Sequence, residues 1–174
     1  MNWFHIFKRK ENKKNLVDIS QYQGLSKEFI ENNSEKVYWY FVSKYQKLSE
    51  EFISKNSEKV KWEYISQCQE LSEEFIEKNS EKVYWYWISS RQKLSESFIE
   101  RNIDNLDLSI ISAYQELSEE FIIRYKDKVN WDSISERQGL SVEFIIRYFD
   151  ELDFSSLLDN DKIEEEVKLK IYDL

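Results

Sequence analysis

The sequence predicts an all-α fold: an α-solenoid of six helix–turn–helix repeats of 23 residues, with a cap at each end. The phrase LSEEFI, or a close variant of it, returns at a fixed interval without one insertion. Apolar residues within each copy recur at steps of two to four positions, as they do on a helix face. The chain has no proline and two glycines, fewer turn residues than an all-β repeat needs.

Several columns of residues keep the 23-residue interval. Each copy begins with a leucine and a serine, and a glutamine stands near its end. The leucines are Leu25, Leu48, Leu71, Leu94, Leu117 and Leu140, and the glutamines are Gln23, Gln46, Gln69, Gln92, Gln115 and Gln138. Such a period is typical of solenoids, in which each unit buries its apolar face only against its neighbours. We therefore assign the six repeats to residues 18–155.

The first segment of each repeat has the features of a helix N-terminus. In the second copy Ser49 precedes two glutamates and the pair Phe52-Ile53. The serine hydroxyl at such a position accepts a hydrogen bond from an unpaired backbone N–H, and the helix dipole favours the glutamates. Leu48 is placed like the outer half of a hydrophobic staple. We expect these residues to be structural.

The second segment runs from Val60 to Gln69 and contains Trp62 and Ile65. Its spacing fits a helix better than a strand, although its β-branched and aromatic residues leave a strand as the alternative. Helices of about two turns are not stable alone in water, so the repeats must stack. We interpret the serine and glutamine columns, with Ser66 and Gln69 in this copy, as partners for unpaired backbone groups. A ladder of amides that binds a repeating ligand is the alternative.

The two ends of the chain differ from the repeats. Residues 1–17 contain five Lys or Arg, one Glu and the stretch WFHIF, and we expect them to form a cap or arm. A weak membrane-surface contact through residues 3–14 is the alternative. Residues 156–174 are predicted to form a capping helix, with Asp161 and Glu164 as a capping box. Its apolar stripe would comprise Ile163, Val167, Ile171 and Leu174.

The composition argues against catalysis. His5 is the only histidine and Cys68 the only cysteine, so neither a Ser–His–Asp triad nor a Cys/His zinc site can be assembled. No glycine-rich loop is present to hold a phosphate. We therefore expect no enzymatic activity, no metal and no cofactor. A lone cysteine fits a reducing compartment, and no apolar run approaches about 20 residues, so we expect a cytoplasmic protein without a transmembrane segment.

Aromatic residues that the repeat does not require are candidates for a binding surface. They occupy variable columns beside the tryptophan column in two copies, whereas the copy between them has Lys61, Glu63 and Tyr64. Because Tyr and Trp anchor protein interfaces, we expect these residues to contact a partner protein. Packing against other parts of the chain is the alternative. The candidates are Tyr38, Tyr40, Phe41, Tyr84, Tyr86 and Trp87.

The blocks LSEEFIxKNSEKVxWxxIS and LSEEFIIRYKDKVNWDSISERQ resemble a tandem repeat found in proteins of giant viruses, bacteriophages and some bacteria. The resemblance covers residues 18–155 and implies a viral or mobile-element origin, and with it a role against host defences. It implies no assigned activity and no catalytic residues. In length and layout each unit is also similar to leucine-rich-variant repeats, which stack short helices, but the chain lacks their prolines and cysteine cluster.

Three functions are open on the sequence. The first is a scaffold that binds and inhibits a partner protein. The second is a sponge for a small nucleotide-type ligand, in which aromatic rings stack on bases. Its phosphates would be neutralised by the basic column Lys55, Lys78, Arg101, Arg124 and Arg147. The third is an acidic mimic of nucleic acid, which the net charge of −9 permits, while the same charge disfavours direct binding of DNA or RNA.

Overall fold

The computed structural model describes residues 24–172, so the N-terminal arm, Gln23 and Leu174 lie outside the described residues. The described chain is all-α, as predicted, and two kinds of helix alternate along it. The first helices of the repeats are α1 (Lys27–Asn32), α3 (Glu50–Lys55), α5 (Glu73–Lys78), α7 (Glu96–Arg101), α9 (Glu119–Arg124) and α11 (Val142–Arg147). The second helices are α2 (Trp39–Tyr45), α4 (Trp62–Cys68), α6 (Trp85–Arg91), α8 (Leu108–Tyr114), α10 (Trp131–Arg137) and α12 (Phe154–Asp159), and α13 (Glu165–Tyr172) follows them.

The contacts within the chain divide it into two units, and the division falls between Tyr84 and Trp85. In unit 1, which ends at Tyr84, helix α2 packs against α4. In unit 2, which begins at Trp85, α6 packs against α8, α8 against α10, and α10 against α12. A second helix thus contacts the second helix one repeat further on. This is the stacking of an α-solenoid, and it confirms the predicted fold class.

The serine that precedes each first helix is its N-cap, as predicted. Ser49 Oγ accepts a hydrogen bond from Phe52 N at 3.3 Å, and the five equivalent serines make the same bond. The first glutamate of the helix has a role that we did not predict. The carboxylate of Glu119 accepts bonds from both the backbone N–H and the hydroxyl of Ser141, at 2.6 and 3.1 Å. This glutamate therefore joins two consecutive repeats as well as favouring the helix dipole.

Aromatic pairs join the second helix of one repeat to the first helix of the next. In unit 1, Trp62 stacks on Phe75 with ring centroids 6.1 Å apart. In unit 2, Trp131 and Phe144 lie 6.3 Å apart in the same relation. The branched aliphatic residue of the second helix, Ile65 in α4, has no exposed surface. The apolar columns therefore form a core that continues from repeat to repeat within each unit.

The glutamine column forms a hydrogen-bond ladder between the repeats. Gln69 Oε1 accepts from Leu48 N at 2.9 Å, and Gln69 Nε2 donates to the carbonyls of Ser43 and Gln46, each at 2.9 Å. The same three bonds are made in unit 2 by Gln115 and Gln138. These buried amides pair backbone groups at the ends of short helices, which is the structural role that the sequence indicated.

The serines of the second helices form a parallel ladder. Ser43 Oγ donates to the carbonyl of Trp39 at 2.7 Å and accepts from Lys61 N, in the next repeat, at 2.9 Å. The same pair of bonds is made by Ser66, Ser112 and Ser135. Between residues 24 and 172 every buried side-chain nitrogen and oxygen has a hydrogen-bond partner. The polar atoms inside the stack are therefore fully satisfied.

The capping box predicted at Asp161 and Glu164 is wrong. The final helix begins at Glu165, four residues beyond Asp161, which lies in the preceding turn. The physical reason is that Asn160 takes the place of the ladder glutamine, one residue early. Its Nδ2 donates to the carbonyls of Ser135 and Gln138, both at 2.8 Å, and this holds the turn in place before the helix starts. The predicted stripe residues Ile163 and Ile171 are buried and Val167 is half-buried.

Replacing Gln69 by leucine is expected to lower the free energy of unfolding by about 3 kcal/mol or more, because three buried backbone groups lose their partners. Urea denaturation monitored by circular dichroism measures the loss. Gln67→Leu, at a half-buried position of the same helix, is the matched control and should change stability little. Equal losses in the two variants would contradict the ladder.

Candidate partner-binding surface

The N-cap position of the second helices differs between the two units. In unit 2 this position holds Asp107, Asn130 and Asp153, whose side chains accept a hydrogen bond from a first-turn N–H at 2.7–2.8 Å. In unit 1 it holds Tyr38 and Lys61, which make no side-chain cap bond. An N-cap bond contributes about 1 kcal/mol to helix stability. Unit 1 therefore gives up a standard stabilising contact, and such departures are expected at functional sites.

Five rings on and beside α2 form the aromatic cluster of unit 1, which comprises Tyr38, Tyr40, Phe41, Tyr45 and Tyr64. Tyr40 and Tyr64 meet edge to face with centroids 4.7 Å apart, so the cluster extends from α2 onto α4. Phe41 contacts Tyr40 at 4.9 Å, Tyr38 at 6.0 Å and Tyr45 at 6.1 Å. The Tyr38 side chain stays 55% exposed. The cluster thus presents rings to solvent on a rigid helical base.

The cluster contains one cation, which the rings hold in place. Lys44 Nζ lies 5.3–5.8 Å from the ring centroids of Tyr40, Tyr45 and Tyr64, within cation–π range. Electrostatic interaction with Tyr40, followed by a hydrogen bond with Tyr45, raises the pKa of Lys44. A hydrogen bond with Tyr40, followed by partial burial, raises the pKa of Tyr64. Lys44 is therefore charged and Tyr64 neutral at physiological pH.

An open groove of about 490 Å³ adjoins the cluster within unit 1. Its aromatic lining is Tyr40, Trp62, Tyr64 and Tyr84. Lys82 crosses this lining, with its ammonium 5.9 Å from the Trp62 ring and 2.9 Å from the Glu58 carboxylate. The hydrogen bond and charge of Lys82 lower the pKa of Glu58. The groove combines aromatic surface, in which protein interfaces are enriched, with polar and charged groups of the kind found at interface rims.

The structure divides the six predicted contact residues between the two units. Tyr38, Tyr40 and Phe41 belong to the aromatic cluster, and Tyr84 lines the groove. Two candidates, Tyr86 and Trp87, lie on α6 in unit 2, where their rings meet edge to face at 4.9 Å.

Sequence reasoning assigned only Tyr40 and Tyr84 of the groove to a binding surface, and the aromatic and basic residues that it missed are Lys61, Trp62, Tyr64 and Lys82. Lys61 and Tyr64 occupy the columns of Tyr38 and Phe41, so column comparison could have found them. Trp62 belongs to a column that the repeat needs for its core. Its place in the groove lining and its contact with Lys82 follow only from the stacked structure.

A second groove, of about 300 Å³, lies in unit 2 and is mainly polar. Its charged side chains pair with one another, since Lys162 lies 3.9 Å from Glu116 and Arg137 lies 3.5 Å from Glu136. Tyr114 is its only aromatic lining residue. Because this groove has one aromatic side chain and the groove of unit 1 has four, the groove of unit 1 is the stronger candidate site.

Other kinds of site find no support in the described part of the chain. No group of three His, Cys, Asp or Glu residues between 24 and 172 could hold a metal ion. None of the helices described is long and apolar enough to span a membrane. Cys68 is exposed and not part of a disulfide.

No family model matches the chain, and neither a curated protein nor a solved structure matches it. The candidate surface therefore rests on the geometry of the chain itself.

Tyr38→Asn should supply the cap that unit 1 lacks and raise the free energy of unfolding by about 1 kcal/mol. The reciprocal change in unit 2, Asn130→Tyr, should lower it by a similar amount. Chemical denaturation of both variants measures the difference. If the Tyr38→Asn protein is no more stable than the wild type, then the tyrosine does not replace a stabilising N-cap.

Tyr64 is expected to ionise above the ordinary tyrosine pKa, because its hydrogen bond with Tyr40 and its partial burial favour the neutral form. A raised folded-state pKa means that the contact stabilises the fold below the ordinary value and is lost as the pH rises through the raised one. Ultraviolet titration of wild type and Tyr64→Phe isolates the absorbance change of this residue. Tyr40→Phe should shift that change towards lower pH. A Tyr64 signal that rises in the ordinary range would contradict the geometry.

Proposed function

We propose that the chain is a non-enzymatic scaffold that binds a partner protein through the aromatic cluster and groove of unit 1. The observation that carries this proposal is the exchange at the N-cap column. Tyr38 and Lys61 stand where unit 2 has capping side chains, and a stabilising bond is given up for long side chains at the surface. Exposed tyrosines on a rigid base are the usual anchors of protein interfaces.

The shape of the groove favours a protein over a small molecule. Pockets for small ligands enclose roughly 70–90% of the ligand surface, whereas this groove is open to solvent. A loop or extended segment of a protein can cover both the groove and the neighbouring cluster. The paired charges of Lys82 and Glu58 at the groove can exchange partners with polar groups at the rim of such an interface.

A nucleotide sponge is the second candidate, because Lys61 and Lys82 lie in the same groove as Trp62 and Tyr64. Stacking on these rings and neutralisation by these cations are the two contacts that a nucleotide needs. The basic column expected to hold phosphates supports this candidate less. Its members Lys55 and Arg124 pair with Glu31 and Glu100 of the preceding repeats.

The nucleic-acid mimic has less support still. Many of its acidic groups are engaged within the stack, as Glu119 is with Ser141. A role against host defences rests on the sequence resemblance alone and would follow from the identity of the partner.

Replacing Tyr38 and Tyr84 together by serine should weaken partner capture by about tenfold or more, because both are exposed anchors. Their exposed fractions of 55% and 50% predict an unchanged circular dichroism spectrum. Affinity purification from the host lysate, compared between wild type and variant, measures the effect. Tyr114→Ser is the matched control, since Tyr114 is 60% exposed but lies in unit 2. A second variant, Tyr86→Ser/Trp87→Ser, tests the candidates on α6.

A protein captured by the wild type and by Tyr114→Ser but lost from the Tyr38/Tyr84 variant supports the proposal. Capture that is equal in all three proteins would overturn the assignment to unit 1. Native mass spectrometry of the same samples tests the second candidate. A small mass excess that disappears in the Tyr38/Tyr84 variant would favour the sponge instead.

A further inference from the structure

The last helices of unit 2 expose an apolar surface, the end patch, which comprises Ile146, Phe149, Phe154, Leu169 and Tyr172. Leu169 and Tyr172 of α13 are each 67% exposed, and Ile146 of α11 is 53% exposed. The Phe154 ring lies 6.2 Å from Phe149 and 5.9 Å from Tyr172, and it connects these two rings. Helices α11 and α13 also pack directly against each other. The five residues therefore lie on or beside neighbouring helices of unit 2, and three of them form a connected aromatic group.

The repeat does not require these apolar residues. In the first copy the position of Ile146 is held by Glu31, whose carboxylate binds Lys55 at 2.8 Å. The position of Phe149 is a serine in the first three copies. An exposed group of apolar side chains that the repeat does not need marks an interaction surface.

The charges on α13 would complement those on a second copy of α13 if the two helices lay antiparallel. Its exposed face has Glu165 and Glu166 at the start and Lys170 near the end, and Glu166 and Lys170 pair at 2.9 Å. If two copies of α13 lie antiparallel about a two-fold axis near Lys168, each Glu166 faces Lys170 of the second copy. The same arrangement brings the two Leu169 side chains together. A parallel arrangement would instead place like charges opposite each other.

We propose that the chain forms a symmetric dimer through the end patch, with α13 antiparallel to its counterpart in the second copy. Two-fold dimers are the commonest protein assemblies, and their interfaces must be self-complementary, as this helix is. The patch consists of few side chains, so we expect a small interface and a dissociation constant of roughly 1–100 µM. Each dimer carries two copies of the unit 1 groove.

Sedimentation equilibrium of the full chain over that concentration range tests the proposal. The wild type should pass from the mass of one chain to that of two. Leu169→Glu places a charge at the centre of the interface and should weaken dimerisation by about tenfold or more. Because Leu169 is mostly exposed, this change leaves the fold intact. Tyr114→Glu, at a similarly exposed site outside the patch, should dimerise like the wild type.

A charge exchange tests the antiparallel orientation. Glu166→Lys and Lys170→Glu should each dimerise less than the wild type, because each brings like charges together across the axis. An equimolar mixture of the two variants should recover the wild-type affinity, since every pair across the axis is then of opposite sign. The doubly exchanged chain should also dimerise.

Three results would overturn the proposal. A wild-type chain that keeps the mass of one chain throughout shows that the end patch faces a different occupant. A dimer unaffected by Leu169→Glu lies elsewhere on the chain. A mixture of the charge variants no better than either alone excludes the antiparallel pairing of α13.

Discussion

The pairing of backbone groups at helix ends is the constraint on which the rest of this structure depends. An α-helix leaves four N–H and four C=O groups without intrahelical partners, and in helices of six or seven residues these are most of the backbone. The glutamine and serine ladders supply the missing partners from the adjacent repeat, as Gln69 and Ser43 do in unit 1. Several of these bonds cross between repeats, as those from Gln69 Nε2 to the carbonyls of Ser43 and Gln46 do, so a single repeat would leave backbone groups unpaired. This fixes the register of the stack and accounts for the absence of insertions among the six copies.

The same ladders limit where the chain can vary. A side chain inside the stack serves the backbone of two repeats, so its replacement leaves several buried groups unpaired at once. The N-cap column of the second helices serves one bond at the surface, and its loss is offset by the remaining contacts of the repeat. Tyr38 and Lys61 occupy this column in unit 1, beside rings on α2 and α4. The candidate binding surface therefore lies at positions where a substitution costs little stability but changes the side chains that face solvent.

The repeat interval and the residue types within each copy were enough to predict the fold class. They also predicted the contacts made inside a single repeat. Serine before a glutamate pair indicated the N-cap at Ser49, and the invariant Gln69 indicated a structural amide. Contacts between repeats were harder to predict. From the sequence alone Glu119 only favours the helix dipole, and its bond with Ser141 of the next repeat is seen only in the structure. Asp161 was misassigned for a similar reason, since the ladder role of Asn160 shows only in the stack. The groove is lined by residues of three repeats. Only its variable aromatic residues could be predicted, by comparing the repeat columns in the sequence.

The groove of unit 1 and the end patch of unit 2 have one feature in common. At each, a contact that other repeats make is replaced by an exposed side chain. In unit 1 a cap is replaced by Tyr38, and in unit 2 Ile146 replaces the glutamate whose counterpart Glu31 pairs with Lys55. A surface ion pair contributes about 0–1 kcal/mol, and a cap about 1 kcal/mol, so either can be lost while the ladders and aromatic pairs hold. Because the buried contacts between repeats hold the fold, surface residues of the repeats can vary with little loss of stability. We therefore expect the functional positions of the chain to be those where the repeat departs from its own pattern without leaving a buried group unpaired.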